Sequence, residues 1–223
     1  MAAMTSRTSK KSPARTYGGL SEAERVVERR ERFLEAGLEV FGTVGLRGAT
    51  VRALCKTAGL TERYFYESFA DTEALFCAVY ERQTAVIREI VMKEVPQMPQ
   101  ALDARTYASI DMFFTLMRNE RVVRILHIES MSGSENVRNL HQTGTRLAAD
   151  MSALLIRSDY PELKISDEFL FSLAMAFNGV SNAMVVQWML GGYTTPQDIL
   201  VKTCAVMVRG AIRELRDEQK KSK

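Results

Sequence analysis

Residues 50–69, TVRALCKTAGLTERYFYESF, carry the reading that decides the fold. Val51, Leu54, Cys55 and Ala58 recur at i, i+3, i+4 and i+7, one apolar stripe on a 3.6-residue period, and Thr50 stands in front as an N-cap whose hydroxyl accepts from an orphan N–H. Arg52 and Lys56, four apart, share the solvent side. Gly59 falls just past the last periodic residue, where the chain needs a left-handed conformation, and Leu60 tucks back under the helix. Thr61 is a second N-cap; from it Phe65 and Phe69 form a buried edge, which leaves Glu62, Arg63, Tyr64 and Tyr66 pointing mainly away from the core. Two short helices joined at one glycine, the second crowded with aromatic and basic side chains, are the layout of a DNA-reading helix-turn-helix. Its first helix braces across the DNA backbone while the second lies in the major groove. Capped amphipathic helices ending in glycine occur in any small helical domain, but two phenols on a short exposed helix are hard to assign to generic packing.

Working outward, a long first helix over roughly Ser21 to Thr43 presents Val27, Leu34, Leu38 and Phe41 on one face, flanked by Phe33 and Val40, and would brace the two reading helices. After Phe69 the chain turns at Ala70-Asp71. Asp71 can cap a fourth helix carrying Leu75, Phe76, Val79, Gln83, Val86, Ile87 and Ile90 before Pro96 stops it. At about 24 residues, or about 36 Å at 1.5 Å per residue, that helix is a lever between the reader and the remainder. Beyond Pro99 the period stays helical, with helices expected near Ala101 to Arg118, Glu120 to Met131, Glu135 to Arg157, Asp167 to Leu190 and Gln197 to Leu215. The penultimate helix is apolar nearly all round, which predicts burial on both sides. The last opens on Thr195, Pro196 and Asp198, a cap with proline at the first helical position. The expected fold is all-α, about nine helices, with no competing strand signal.

The stretch from about Val27 to Val79 resembles the N-terminal DNA-binding domain of the tetracycline-repressor (TetR) family of bacterial transcription regulators. The features that carry the likeness run in order: an aromatic and small-residue turn (Phe41 to Gly45), the Thr50 cap, Ala58-Gly59, the Thr61 cap, the Phe65-Tyr66 pair, Phe69, and the acidic-apolar start of helix four at Glu73 and Leu75. The resemblance implies that Thr50 and Tyr66 touch phosphates, that Arg52, Arg63 and Tyr64 lie toward bases or the adjacent backbone, and that Thr61 belongs to the same DNA-binding set. Glu62 has two readings: an acceptor for cytosine N4, or a carboxylate favoured by the helix dipole. The chain departs from the family pattern at Arg63, where a glycine is common, at Ser68, where a phosphate-contacting histidine is frequent, and at Thr72, where a lysine usually opens helix four. The family further implies a homodimer through the last two helices, a palindromic double-stranded operator read in successive major grooves, and release by a small-molecule effector that tilts helix four, more often as a repressor.

The expected division is a basic arm over residues 1–20, a helix-turn-helix domain over 21–85, and a ligand-binding and dimerisation domain over 86–223. For an apolar effector, the methionine- and aromatic-rich segment offers Tyr107, Met112, Phe113, Met117, Met151, Phe177 and Trp188, with Arg124, His127 and Asn178 as polar side chains able to orient it. Ordinary core is the alternative reading of the same residues.

Composition narrows the classes. At 223 residues and 46% apolar the chain can bury a sizeable core, and a net charge of +3 excludes a uniformly basic nucleic-acid binder. Residues 1–20 hold Arg7, Lys10, Lys11 and Arg15 and no acid, whereas residues 21–82 hold nine basic against eleven acidic side chains, a balance of −2. The arm is therefore the main long-range attractor for phosphate, or else plain disorder. Neither a secretory signal nor a membrane span is expected, since Leu173 to Leu190 is broken by Asn178, Ser181, Asn182 and Gln187. A cytoplasmic, nucleoid-associated protein is expected. Cys55, Cys77 and Cys204 are spaced as reduced thiols on helix faces. His127 and His141 are not spaced as a helical metal pair, and phosphate-loop and nucleophile-elbow contexts are missing, so no enzyme, cofactor or metal is expected. Two functions stay open: the ligand-responsive regulator, and a helical small-molecule-binding module whose helix-turn-helix has weakened or lost its hold on DNA.

Overall fold

The computed structural model describes residues 21–221, so the basic arm with Arg7, Lys10, Lys11 and Arg15 lies outside the described residues. Within them the chain forms α1 (Glu22–Gly48), α2 (Val51–Ala58), α3 (Glu62–Ser68), α4 (Thr72–Glu94) and α5 (Leu102–Leu116). A run of short turns follows: α6 (Glu120–Arg124), a π-helical turn (Ile125–Glu129) and α7 (Ser130–Ser132). Three long helices close the chain: α8 (Glu135–Asp159), α9 (Asp167–Leu190) and α10 (Gln197–Lys221). With 120–132 counted as one broken helix, nine helices and no strand are present among the described residues, as the periodicity predicts.

Local chemistry sets the boundaries. Ser21 and Glu24 form a capping box at the head of α1, the Ser21 N–H donating to Glu24 Oε2 at 2.6 Å and the Glu24 N–H to Ser21 Oγ at 3.2 Å. Thr50 caps α2 by accepting from the Ala53 N–H at 3.2 Å, and Asp71 caps α4 by accepting from the Ala74 N–H at 2.7 Å. Gly59 is left-handed (φ 63°), which lets the Leu60 N–H reach back to the Cys55 carbonyl at 3.0 Å and turns the chain into α3. Thr61 takes the N-cap position of α3 with extended backbone, but its side chain makes no capping bond, unlike the expectation.

Helix α1 runs further than its periodicity indicates. It passes the expected stop at Thr43, kinks at Gly45 (φ 76°) and ends at Gly48. Val27, expected on its core face, is 62% exposed, because the helix overhangs its partners by two turns before Phe33 reaches the core.

One apolar cluster binds α1 to α4 and the first turn of α8 around Phe33, Phe41, Leu54, Phe65, Leu75, Phe76 and Val137, all fully buried. Aromatic edges lock it, with Phe33 and Phe65 at 5.4 Å and Phe41 and Phe76 at 5.3 Å between ring centroids. A second cluster joins α5, α6, α9 and α10 around Phe114, Val123, Val185, Trp188 and Cys204. Helix α9 is not covered on both sides as expected: Leu170, Ala174, Ser181, Val185 and Trp188 face inward, while Phe169, Val180 and Leu190 are exposed on the far side. With 24 residues and an 18-residue stretch of mean hydropathy 1.6, α9 is long and apolar enough by composition to cross a membrane, yet its inner face packs on α8, α6 and α10.

Candidate nucleic-acid interface

Helix α3 is seven residues long, too short to hold itself in place, and α1 holds it from one side. Phe65 and Phe69 drop into the aromatic cluster against Phe33, at 5.4 and 6.3 Å. Three arginines from a single turn of α1 then grip the motif's backbone and rings. Arg32 Nη2 donates to the Ala58 carbonyl at 2.6 Å and the Gly59 carbonyl at 3.2 Å, fixing the turn between α2 and α3. Arg30 lies 4.5 Å over the Phe69 ring and donates to the Ser68 carbonyl at 3.2 Å, closing the far end of α3. Arg29 lies 4.3 Å over the Tyr64 ring and 3.9 Å from Glu67. These three residues escaped the sequence reading, since an arginine on a helix with acidic neighbours looks like an ordinary solvated face.

The side chains proposed to read DNA separate into two groups. Thr50, Arg52, Thr61, Glu62, Arg63 and Tyr66 are exposed. Arg63 extends 84% of its side chain into solvent, its Nε held 3.0 Å from Glu67 Oε1 one turn along α3. Tyr66 is 59% exposed, its ring resting edge-on against Phe65 at 5.4 Å, so the phenol is directed rather than loose. Tyr64 departs from the expectation that it points away from the core. It is half-buried against the apolar cluster, with the Arg29 guanidinium stacked on its ring. Ser68 is also spent locally, its hydroxyl donating to the Tyr64 carbonyl at 3.0 Å. A capped short helix, a second short helix at a glycine turn, and a projecting Arg-Tyr pair on the second constitute a helix-turn-helix with its outer face free.

Residues 33–79 match the family model described as "Bacterial regulatory proteins, tetR family". The chain carries the tetR-family domain.

Solved structures extend the likeness of fold beyond that domain. A transcriptional regulator of Pseudomonas aeruginosa PAO1 superposes with a TM-score of 0.72 at 18% identity, covering 86% of this chain and 92% of its own. The fatty acid degradation regulator FadR of Bacillus halodurans gives 0.71 at 14%, covering 92% and 99%. FadR of Bacillus subtilis, solved in complex with stearoyl-CoA, gives 0.67 at 11%, covering 78% and 95%. No curated protein matches the chain. The fold shared with these regulators thus covers 78–92% of the chain.

Behind the tetR-family domain, the side chains proposed for an effector are not gathered in one cavity. Met117 and Trp188 are core residues: Trp188 packs edge-on to Phe114 at 5.9 Å and Tyr193 at 4.8 Å, and its indole N–H donates to the Thr195 carbonyl at 2.7 Å. Met112 faces a different place, an open cleft of about 190 Å³ shared with Glu94, Gln97 and Met98. Asn178 is committed to the α8–α9 seam, where Ser152 Oγ donates to its Oδ1 at 3.1 Å, and Met151 is half-buried on the same helix, α8. Tyr107, Phe113 and Phe177 are the half-buried apolar members, packed on the second cluster. Arg124 and His127 lie on the α6 run, Arg124 facing Glu120 at 3.7 Å. Burial pushes the His127 imidazole down to about 4, with His141 adding to the fall, so it is neutral at physiological pH.

The domain is tied to the rest of the chain by contacts that periodicity does not reveal. Arg121 pairs with Glu39 at 2.8 Å, and the Arg121 stem fills the space beside Gly42, where any Cβ would collide with it. Glu129, at the end of the π-turn, accepts from the Leu46 N–H at 2.9 Å. Gly45 has to be glycine there: its φ is positive, and a Cβ would sit 2.7 Å from Glu129 Oε1. Farther along, Arg82 of α4 pairs with Glu31 of α1 at 3.0 Å.

Proposed function

We propose that the protein is a homodimeric, ligand-responsive transcriptional regulator, acting as a repressor in the cytoplasm on the nucleoid. Residues 21–85 read a palindromic double-stranded operator, and residues 86–223 bind a small effector and the second subunit. The observation that carries this reading is the pair Arg63 and Tyr66 projecting from a short helix that α1 immobilises from behind. Arg63 supplies a planar fork suited to guanine O6 and N7, and Arg52, Thr50 and the uncommitted Thr61 hydroxyl flank it as phosphate contacts. The helix-turn-helix needs two half-sites about 34 Å apart to bind tightly. Support for a second subunit comes from the exposed apolar side chains Phe169, Val180 and Leu190 on α9, and Ile199, Val206 and Met207 on α10.

An effector that moves α4 or the α6 run would act on the reader through Arg82–Glu31, Arg121–Glu39 and Glu129–Leu46. A coupling of about 1–3 kcal/mol suffices for a useful switch.

The test is fluorescence anisotropy on DNA fragments selected by the purified protein from a random pool, across a salt series. We expect a steep negative slope of log affinity against log salt. We expect Arg63→Ala to cost about 1–3 kcal/mol at particular bases, and Tyr66→Phe to weaken all sequences alike. A flat slope would favour the other reading, a ligand-binding helical module that no longer grips DNA; the engaged Ser68 hydroxyl and the −2 balance of residues 21–82 favour that reading.

A further inference from the structure

Two buried side-chain nitrogens have no hydrogen-bond partner among the described residues, Arg124 Nε and His127 Nε2, and they belong to the same turn of chain. Arg124 ends α6 and His127 sits in the π-turn that follows, so the irregular stretch carries both. A buried polar group left without a partner is costly to fold around. The surrounding polar groups are engaged elsewhere. Ser130 Oγ donates to the Leu126 carbonyl at 2.8 Å and lies 2.9 Å from His141 Nδ1, while Glu120 meets only the outer Arg124 nitrogen, at 3.7 Å. The neighbours in sequence are apolar: Val123 is in the second cluster and Ile128 packs on it, together with Phe113 and Phe177.

We infer that the effector is amphipathic, presenting a carboxylate to Arg124 Nε and His127 Nε2 and laying an apolar body against the α5–α9 side chains. The inference rests on the effector-responsive reading above and changes its chemistry, since a wholly apolar guest would leave both nitrogens unmet. Arg124 supplies a permanent N–H donor and the charge that favours a carboxylate over an alcohol of the same skeleton. His127, uncharged at neutral pH, supplies a second donor in its Nε2–H tautomer without adding another buried charge.

The experiment uses the full-length protein without DNA. Butyrate, decanoate and 3-phenylpropionate are titrated by calorimetry beside butanol, decanol and 3-phenylpropanol, while the His127 side-chain resonances are followed by NMR. At least one carboxylate should saturate the protein about tenfold more tightly than its alcohol, the difference expected for a hydrogen bond to a charged group, and should move the His127 signals. Arg124→Met should reduce that preference to within about threefold, and Arg124→Lys should keep part of it. His127→Gln, which retains an amide donor, serves if Arg124→Met unfolds the protein. Equal affinities for acid and alcohol, a preference untouched in Arg124→Met, or no saturation by any of the three carboxylates would overturn the inference and leave water as the partner of both nitrogens. Because DNA is absent, these outcomes stand apart from the regulatory reading. Carboxylate binding with unchanged operator affinity would remove the switch and keep the head-group assignment.

Discussion

The reading helix and the penultimate helix are built in opposite ways. The seven residues of α3 are locked by two aromatic anchors and three arginines of α1, so a short element that could not persist alone becomes rigid. The 24 residues of α9, three times longer and far more apolar, leave Phe169, Val180 and Leu190 without cover in a single chain. Length and hydrophobicity do not decide which helix is better fixed; partners do. The reader is complete within one chain, whereas α9 presents a face that a second surface could still bury.

The largest effect should separate the two. Phe65→Ala removes a fully buried ring that touches Phe33, Phe69 and Tyr66, and should cost about 3–5 kcal/mol in urea unfolding. Phe169→Ala, at a 49% exposed position, should change the stability of an isolated chain by no more than about 0.5 kcal/mol. If the proposed dimer forms, the Phe169→Ala effect should instead grow with protein concentration, by mass action. A large Phe169→Ala loss independent of concentration would break the comparison, because α9 would then be closed within one chain.

The same contrast explains what could be read from the sequence. Thr50, Gly59 and Asp71 could be placed because caps and left-handed glycines act on residues three or four positions away, and the structure shows each doing so. Tyr64 is half-buried where its period points outward, because periodicity fixes an angle around the helix axis but not which distant side chain arrives there, and Arg29 arrives from α1. Met117 and Trp188 look alike as core or as pocket wall until the Thr195 carbonyl and the Phe114 ring are seen to use the indole. The π-turn leaves no mark in a 3.6-residue pattern. Glu129, whose partner is 83 positions upstream, gives no local signal at all.

A pH series sharpens the comparison at the α6 run. His127 has its folded value depressed from 6.5 to about 4, so between those limits the unfolded chain binds a proton that the folded one refuses. Stability from this group is therefore complete above about pH 6.5 and falls as pH drops toward 4, by on the order of 2–3 kcal/mol at most. Burial also lowers His141, which adds to the loss in the same direction. Urea unfolding at pH 7 and pH 5 should show a smaller pH-dependent loss for His127→Gln than for the parent. Equal losses in both proteins would mean that the imidazole is hydrated in the folded state, and a carboxylate bound there should shrink the parent's loss by favouring the protonated ring.

The smallest effect tests the seam between the two regions. Glu129→Gln keeps an acceptor for the Leu46 N–H and removes only the charge, so global stability should fall by about 0.5–1.5 kcal/mol. The informative readout is local. Leu46 lies just beyond the Gly45 kink, four residues before the Thr50 cap that starts the reader, so its amide reports whether the end of α1 opens independently of the core. Hydrogen exchange at Leu46 should speed up by about five- to tenfold in Glu129→Gln, while Phe33 and Phe65, deep in the aromatic cluster, keep their protection. If Leu46 and Phe65 changed by the same factor, α1 and the reader would open as one cooperative unit. Glu129 would then stabilise the whole domain and could not serve as a separable link, leaving Arg121–Glu39 and α4 as the routes by which the C-terminal helices reach α3.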